Sequence, residues 1–464
     1  MKKLLAIFTA VMLVSCTTNH DEVVVSTPNK NSFISQQDRA KQVVMEFLNK
    51  IDPPTRGSVR TINRIETITY EELFGPVTRS DSTLSIRLNP QRNENSIALM
   101  LTIFDDNSGY AVLQPLFDED DYFVGDWEDD NGEEGSTSPE TPIKLLAVIN
   151  SGTLSSNDII TYTNNTTAPD DYLSPTELYD EENDDFVIGN SDPNTFVASL
   201  ISSYLYNKTE NDNNNNDYTE VDNIATEKVG PLLKTKWWQE LPFNYYIHTY
   251  NEQGDKRPVG CVTVATAQML TYFKDKQFGA FFEVSSASTT WASIENNKYI
   301  KGSIPTDTTQ HDAAKMMKRI ADKIGVMYNY CGTGGTFATP KMAQRYLEDE
   351  LLYNIDRVVD GSKVSRLNRI VSSLNNNKPV IMAALGGFEH GHAWVVDGYM
   401  KNEDSNSAVH DYLIHCNFGW AGNNDGWYFI NILNNENNND DLLDPNSGEQ
   451  EMKYNWFFRY LFFE

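Results

Sequence analysis

One cysteine, one histidine and one asparagine stand in this chain in an order suited to acyl transfer through a thiol. Cys261 opens the nearly charge-free stretch GCVTVATAQMLTYF, directly after Gly260. A thiol attacks a carbonyl as thiolate, and the free amides and dipole of a helix N-terminus favour that form. A glycine there lets a substrate backbone come close. Taken alone, the stretch fits a buried structural cysteine equally well. The base must come from His20, His248, His311, His390, His392, His410 or His415. His392 sits in GHAWVVDGY, directly after a glycine and at the start of a strand-like run, whereas His390 before that glycine reads as loop. His20 falls in a polar N-terminal tract, His311 at a polar helix start and His410 in a polar loop. An Asn or Asp must fix the imidazole, and HCNFGWAG offers Asn417 beside the aromatic Phe418 and Trp420.

Weaker candidates surround these three. The amide of Gln239 in WWQELPFN reads either as an oxyanion donor beside the backbone N–H of Cys261 or as a turn residue. CGTGGT (Cys331–Thr336) has no phosphate-loop lysine and reads as a cleft wall or a plain connector. Asp397 reads as a strand-end residue. There is no Cys-x-x-Cys and no Cys/His cluster with zinc spacing, so no metal is expected. The four cysteines are Cys16, Cys261, Cys331 and Cys416. With Cys16 set aside, an odd number remains, so at least one thiol is unpaired. A bond between Cys331 and Cys416 has no support in the sequence.

The elements that must position these residues divide the chain in two. Formal net charge is −29 over 464 residues, which disfavours nucleic acid as a partner. Of 66 acidic and 37 basic residues, 28 and 23 fall from Glu227 onward, leaving 38 and 14 before it. A net of −24 against −5 places a boundary near residue 226, after the Asn-rich NDNNNND. Before it, SQQDRAKQVVMEFLNK reads as an amphipathic helix capped by Ser35, with Ala40, Val44, Phe47 and Leu48 on one face. SIALMLTIF, GYAVLQP and KLLAVIN read as strands, an acidic turn-rich insertion separates the last two, and NTFVASLISSYLYN reads as a second helix. After the boundary, helices come first and strand-like runs (PVIMAAL, HAWVVDGYM, DYLIHCNFGW, GWYFINIL) second, an α+β order. The N-terminal MKKLLAIFTAVMLVSC has two lysines, an apolar run too short to span a bilayer, and LVSC, which resembles a lipobox ending at Cys16.

Three motifs in order, GCVTVATAQMLTYF, GHAWVVDGY and HCNFGWAGNNDGWYFI, resemble the streptopain family of papain-like cysteine peptidases. Cys followed 131 residues later by His, and 25 further on by Asn, matches the general order in papain-like enzymes. The front half resembles that family's inhibitory prodomain more weakly. Where streptopain-like sequences have Asn-Trp-Gly-Trp, this chain has Asn417-Phe418-Gly419-Trp420. The resemblance implies Cys261 as nucleophile, His392 as base and Asn417 as the residue orienting it, shielded by Phe418 and Trp420. It implies a secreted endopeptidase zymogen without cofactor, acting on protein or peptide substrates, often with an apolar residue two positions before the cut. The prodomain is the intramolecular inhibitor. The expected organisation is a signal peptide over 1–16, a tether and α+β prodomain over 17–226, and a papain-like domain over 227–464, helical part first and antiparallel sheet second. Contact with a membrane would come only through lipid on Cys16, at the cell envelope or surface. A non-catalytic surface lipoprotein and a peptidoglycan-peptide hydrolase are the competing readings.

Overall fold

The computed structural model describes residues 30–51, 60–74, 96–105, 109–115, 143–165, 178–180, 185–189, 191–210, 228–285, 288–330, 335–359, 363–386, 389–402, 411–433, 454 and 456–464. Cys16, Cys331, His410, most of the acidic insertion and the Asn-rich linker lie outside these residues.

In the front half the order is α1 (Lys30–Ile51), β1 (Ile62–Thr69), α2 (Tyr70–Phe74), β2 (Ile97–Phe104), β3 (Tyr110–Pro115), β4 (Ile143–Ile149), α3 (Ser156–Asn164), β5 (Tyr179–Asp180), β6 (Asp185–Phe186) and α4 (Pro193–Glu210). The second half has β7 (Lys228–Val229), α5 (Cys261–Phe273), α6 (Lys276–Ser285), α7 (Trp291–Asn296), α8 (Thr308–Ile324), β8 (Met327–Tyr328), β9 (Thr336–Phe337) and α9 (Pro340–Arg345). It closes with β10 (Ile355–Val358), α10 (Lys363–Asn375), β11 (Val380–Gly386), β12 (Glu389–Asn402), β13 (Asp411–Asn417), β14 (Gly426–Phe429) and β15 (Trp456–Phe463). The class is α+β.

One antiparallel sheet runs through both halves, in the order β1-β2-β3-β4-β14-β13-β12-β11-β15-β10, with β7 paired to β12. The join is β4 against β14, where Val148 faces Trp427 and Ala147 faces Tyr428. The sequence, read half by half, does not announce that join. Its strands are apolar on both faces because both faces are covered. Along β2, Leu99 and Leu101 enter one core with Phe196, Ile201 and Tyr204 of α4. Met100 between them enters another core with Ala40, Val44 and Phe47 of α1. This is the period-2 alternation of a strand, buried twice over. α1 starts at Lys30, five residues before Ser35, so Ser35 is inside the helix and does not cap it.

The same alternation divides the second half. Val380, Met382 and Ala384 of β11, with Trp394 and Val396 of β12, join the core that contains α4. Ile381, Ala383 and Leu385, with Ala393 and Val395, face α5 and α8. A front-half helix therefore covers one face of the second half's sheet.

Candidate active site

Cys261 is the first residue of α5, a helix with no charge among its thirteen residues and eleven of them buried. That burial suits a central helix packed on all sides. Gly260 before it has φ +91°, a left-handed conformation, and a Cβ there would meet Thr336 Cγ2 at 3.1 Å. The backbone thus turns into the helix under the Thr336 wall, whose hydroxyl donates to Pro258 O at 2.9 Å. Gln239 is buried, and its carbonyl accepts the N–H of Val259 at 2.9 Å, which ties it two residues upstream of Cys261.

The thiol is buried, and Cys261 Sγ donates to Gly189 O of the front half at 3.1 Å. Burial pushes its pKa up to about 12, against the pull of the N–H groups of Ala393, Val262 and Cys261 itself. His392 is fully buried. Burial pushes its pKa down to about 3, opposed by the carbonyl of Phe418. Its Nε2 lies 2.7 Å from Phe418 O, and since a carbonyl only accepts, Nε2 carries the proton. Nδ1 makes no hydrogen bond among the described residues. The ring stacks on Trp420, centroids 4.1 Å apart, and meets Phe196 of α4 edge-on at 5.5 Å.

Both groups lie on β12 or beside it, yet they are not hydrogen-bonded to each other. His392 shares its face of the strand with Trp394, its ring parallel to the indole within 8°. Ala393, whose N–H reaches the thiol, faces the α5 side. Gly391, at φ +76°, makes the bend before His392, and a Cβ there would stand 2.4 Å from Ala384 O. Its carbonyl accepts the hydroxyl of Ser191, at 2.7 Å, from the front half.

Asn417 does not hold His392 here, contrary to the expected orienting role. Its Oδ1 accepts from Gln268 Nε2 at 3.2 Å and from Gly419 N at 3.3 Å, and its Nδ2 donates to Thr235 O at 2.7 Å. These bonds join β13 to α5 and to the segment before Trp237. The acceptor on the imidazole is the main chain of the next residue, Phe418. The Phe418 ring stacks on Trp420 at 5.0 Å and lies 6.1 Å from the imidazole, so the indole of Trp420 is the nearer cover.

Two features lie outside the residues that the motifs single out. Asp425 Oδ1 accepts the N–H of Phe418 at 2.8 Å, tying down the residue whose carbonyl takes the imidazole. Burial raises the Asp425 carboxyl to about 7, opposed by that N–H and by His415. The one available signal was an acid inside the otherwise uncharged HCNFGWAGNNDGWYFI. The second is Gly189, whose carbonyl has no side-chain signature. Asp397 is structural: it takes His415 Nδ1 at 2.6 Å and Leu233 N at 2.9 Å, binding the segment that leads to Gln239 onto β12. Cys416 is a free buried thiol.

Residues 237–428 match the Peptidase C10 family. Streptopain of Streptococcus pyogenes is 27% identical over 269 residues, which cover 51% of this chain and 65% of the relative. The thiol protease/hemagglutinin PrtT of Porphyromonas gingivalis is 23% identical over 228 residues, 44% of this chain and 25% of that protein. The chain therefore spans just under two thirds of the streptopain and a quarter of PrtT. Among solved structures, a fragment of prointerpain A from Prevotella intermedia aligns over 78% of this chain and 94% of its own, at 18% identity and a TM-score of 0.47. The segment that matches the Peptidase C10 family encloses Cys261, His392 and Asn417 alike, and the same region is similar to streptopain.

Proposed function

We propose that the chain is a cysteine endopeptidase in its latent, precursor state. Cys261 is the nucleophile and His392 the base and acid. When the imidazole turns toward the thiol, its unoccupied Nδ1 takes the thiol proton, and the thiolate attacks the peptide carbonyl. The imidazolium then protonates the leaving amine, and water releases the acyl group by the same route. The N–H of Cys261 and the amide of Gln239 are the donors proposed to receive the oxyanion. Asn417 is the residue proposed to orient His392 once the imidazole has turned; in the latent state that hold belongs to the Phe418 carbonyl. Trp420 and Phe418 keep water from the ring.

The observation that carries this reading is the hydrogen bond from Cys261 Sγ to Gly189 O. A residue upstream of the 211–227 linker occupies the nucleophile. Residues 17–226 act as the inhibitor and 227–464 as the peptidase, with protein or peptide substrates. Export with lipid on Cys16, at the envelope or surface, completes the proposal and rests on the N-terminal sequence alone. Replacing Cys261→Ala should abolish hydrolysis of casein by activated protein. Casein hydrolysis within tenfold of wild type would sink the assignment, and digestion of murein but not casein would turn it toward wall peptides.

A further inference from the structure

The front-half segment that reaches Cys261 is anchored at its far end by a buried carboxylate. Asp185 is fully buried. Arg459 Nε donates to its Oδ1 at 2.9 Å, and the N–H of Lys341 donates to its Oδ2 at 3.1 Å. Arg357 Nη1 lies 3.1 Å from Oδ2, close enough for an ion pair though not aligned as a hydrogen bond. Its own neighbour, Phe186 N, donates to Oδ1 at 3.0 Å. Three of these four groups belong to the second half, from β15, α9 and β10. The guanidinium side chains are 10% and 12% exposed. Two nearly buried cations around one point form a site built for an anion.

From that anchor the segment runs along the second half to the nucleophile. Phe186 packs on Phe457, centroids 4.6 Å apart. Ile188 pairs with Ala338 through both of its backbone groups, at 2.9 and 3.1 Å. Gly189 presents its carbonyl to Cys261. The contact combines one main-chain bridge, at Ile188 and Ala338, with side-chain sites at Asp185 and Phe186. When residues 185–189 withdraw, the main-chain partner and the thiol are freed, and the two arginines lose the carboxylate that pairs with both. A converging pair of cations then favours another carboxylate in the same place.

We infer that Arg357, Arg459 and the Lys341 N–H form an acid-selective subsite of the open cleft, filled by Asp185 in the latent chain. It takes an Asp or Glu side chain of a peptide substrate, four residues before the one whose carbonyl meets Cys261. The inference rests on Cys261 marking the reacting end of the cleft. It adds a charge requirement at a distance from the reacting bond.

The test uses the full chain and the rate at which iodoacetamide alkylates Cys261, read by site-resolved mass spectrometry. Asp185→Ala, and the nearly isosteric Asp185→Asn, should each speed alkylation tenfold or more. Adding acetyl-Asp-Phe-Val-Ile-Gly-amide to the Asp185→Ala protein should restore protection at a concentration at least tenfold below that needed for acetyl-Ala-Phe-Val-Ile-Gly-amide. Adding Arg459→Gln to that protein should erase the difference between the peptides. Equal protection by the two peptides overturns the subsite, as does alkylation at the wild-type rate in both Asp185 variants. Alkylation needs no turnover, so an inert chain that still prefers the acidic peptide would refute the peptidase and spare the subsite. Casein hydrolysis lost in Cys261→Ala, with no peptide preference, would do the reverse.

Discussion

Phe196 is where the front half bears on the imidazole, and its truncation should release the latent state. The ring is fully buried. It meets His392, Trp394, Phe418, Trp420 and Trp456 edge-on, with centroids 5.4 to 6.0 Å away. All five partners belong to the second half, so most of what Phe196 contributes is docking. Truncating a buried Phe costs about 3–5 kcal/mol, and the edge-to-face pairs place this one toward the upper end. If that loss falls on docking, the undocked population rises by roughly two to three and a half powers of ten, since about 1.4 kcal/mol is tenfold. Phe196→Ala should therefore raise the alkylation rate of Cys261 in the full chain about a hundredfold or more. The cavity would also admit water to His392, so its pKa should climb from about 3 toward the ordinary histidine range. The readouts are iodoacetamide kinetics and an NMR titration of the His392 ring. A variant that melts several degrees lower but alkylates less than tenfold faster would refute the reasoning. The cost would then lie in the fold as a whole, not in the contact between halves.

Two further predictions concern pH, and they have opposite signs. The His392 pKa is depressed in the folded chain, so above about 6.5 the group is neutral folded or unfolded and contributes nothing. As pH falls from 6.5 toward 3 the unfolded chain gains a proton that the fold refuses, and stability is lost by about 1.4 kcal/mol per pH unit. His392→Gln should therefore lose less Tm than wild type between pH 7 and pH 4.5, and parallel Tm curves would contradict the buried neutral imidazole. The Asp425 pKa is raised to about 7, so the fold keeps a proton that the unfolded chain gives up above about 3.8. Stability is lost as pH rises through that window. Asp425→Asn, which still offers Phe418 N–H an acceptor, should flatten the fall in Tm between pH 5 and 8. Asp425→Ala should instead lose about 1–3 kcal/mol at every pH, the cost of a buried N–H left unbonded.

Much of this architecture is legible from residue spacing. The face Ala40, Val44, Phe47 of α1 and the three apolar runs that become β2, β3 and β4 need only periods of 3.6 and 2. The helix behind Cys261 is readable from its lack of charge and the glycine before it. What spacing does not carry is who pairs with whom over long separations. β4 meets β14 some 280 residues later, and Asp185 meets Arg459 274 residues later, in both cases through groups common along the chain. Nor does a sequence mark a main-chain carbonyl as functional. The roles taken by Phe418 O and Gly189 O belong to backbone atoms that every residue has. Asn417 is legible from side-chain chemistry, but its bonds in this state, to Gln268 on α5 and to the carbonyl of Thr235, depend on long-range packing that spacing does not show.

On the proposed reading, the placement of the thiol and the imidazole makes latency more than obstruction. Cys261 lies on the α5 side of β12, and His392 points to the α4 side, so neither supplies the charge that would stabilise the other. Buried apart, the thiol is pushed up to about 12 and the imidazole down to about 3, and both stay neutral. The front half touches every part of this arrangement. Gly189 O holds the thiol, Ser191 holds the carbonyl of Gly391 just before His392, and Phe196 holds the ring. The same withdrawal that uncovers the nucleophile therefore frees the backbone bend and the ring face needed for the imidazole to turn. Cutting the chain between residues 211 and 227 does not by itself achieve this. The β4–β14 pairing, the core around Phe196 and the Asp185 clasp are all non-covalent and survive the cut. On the proposed zymogen reading, activation is a docking equilibrium, and proteolysis of the linker acts by making undocking irreversible rather than by opening the site.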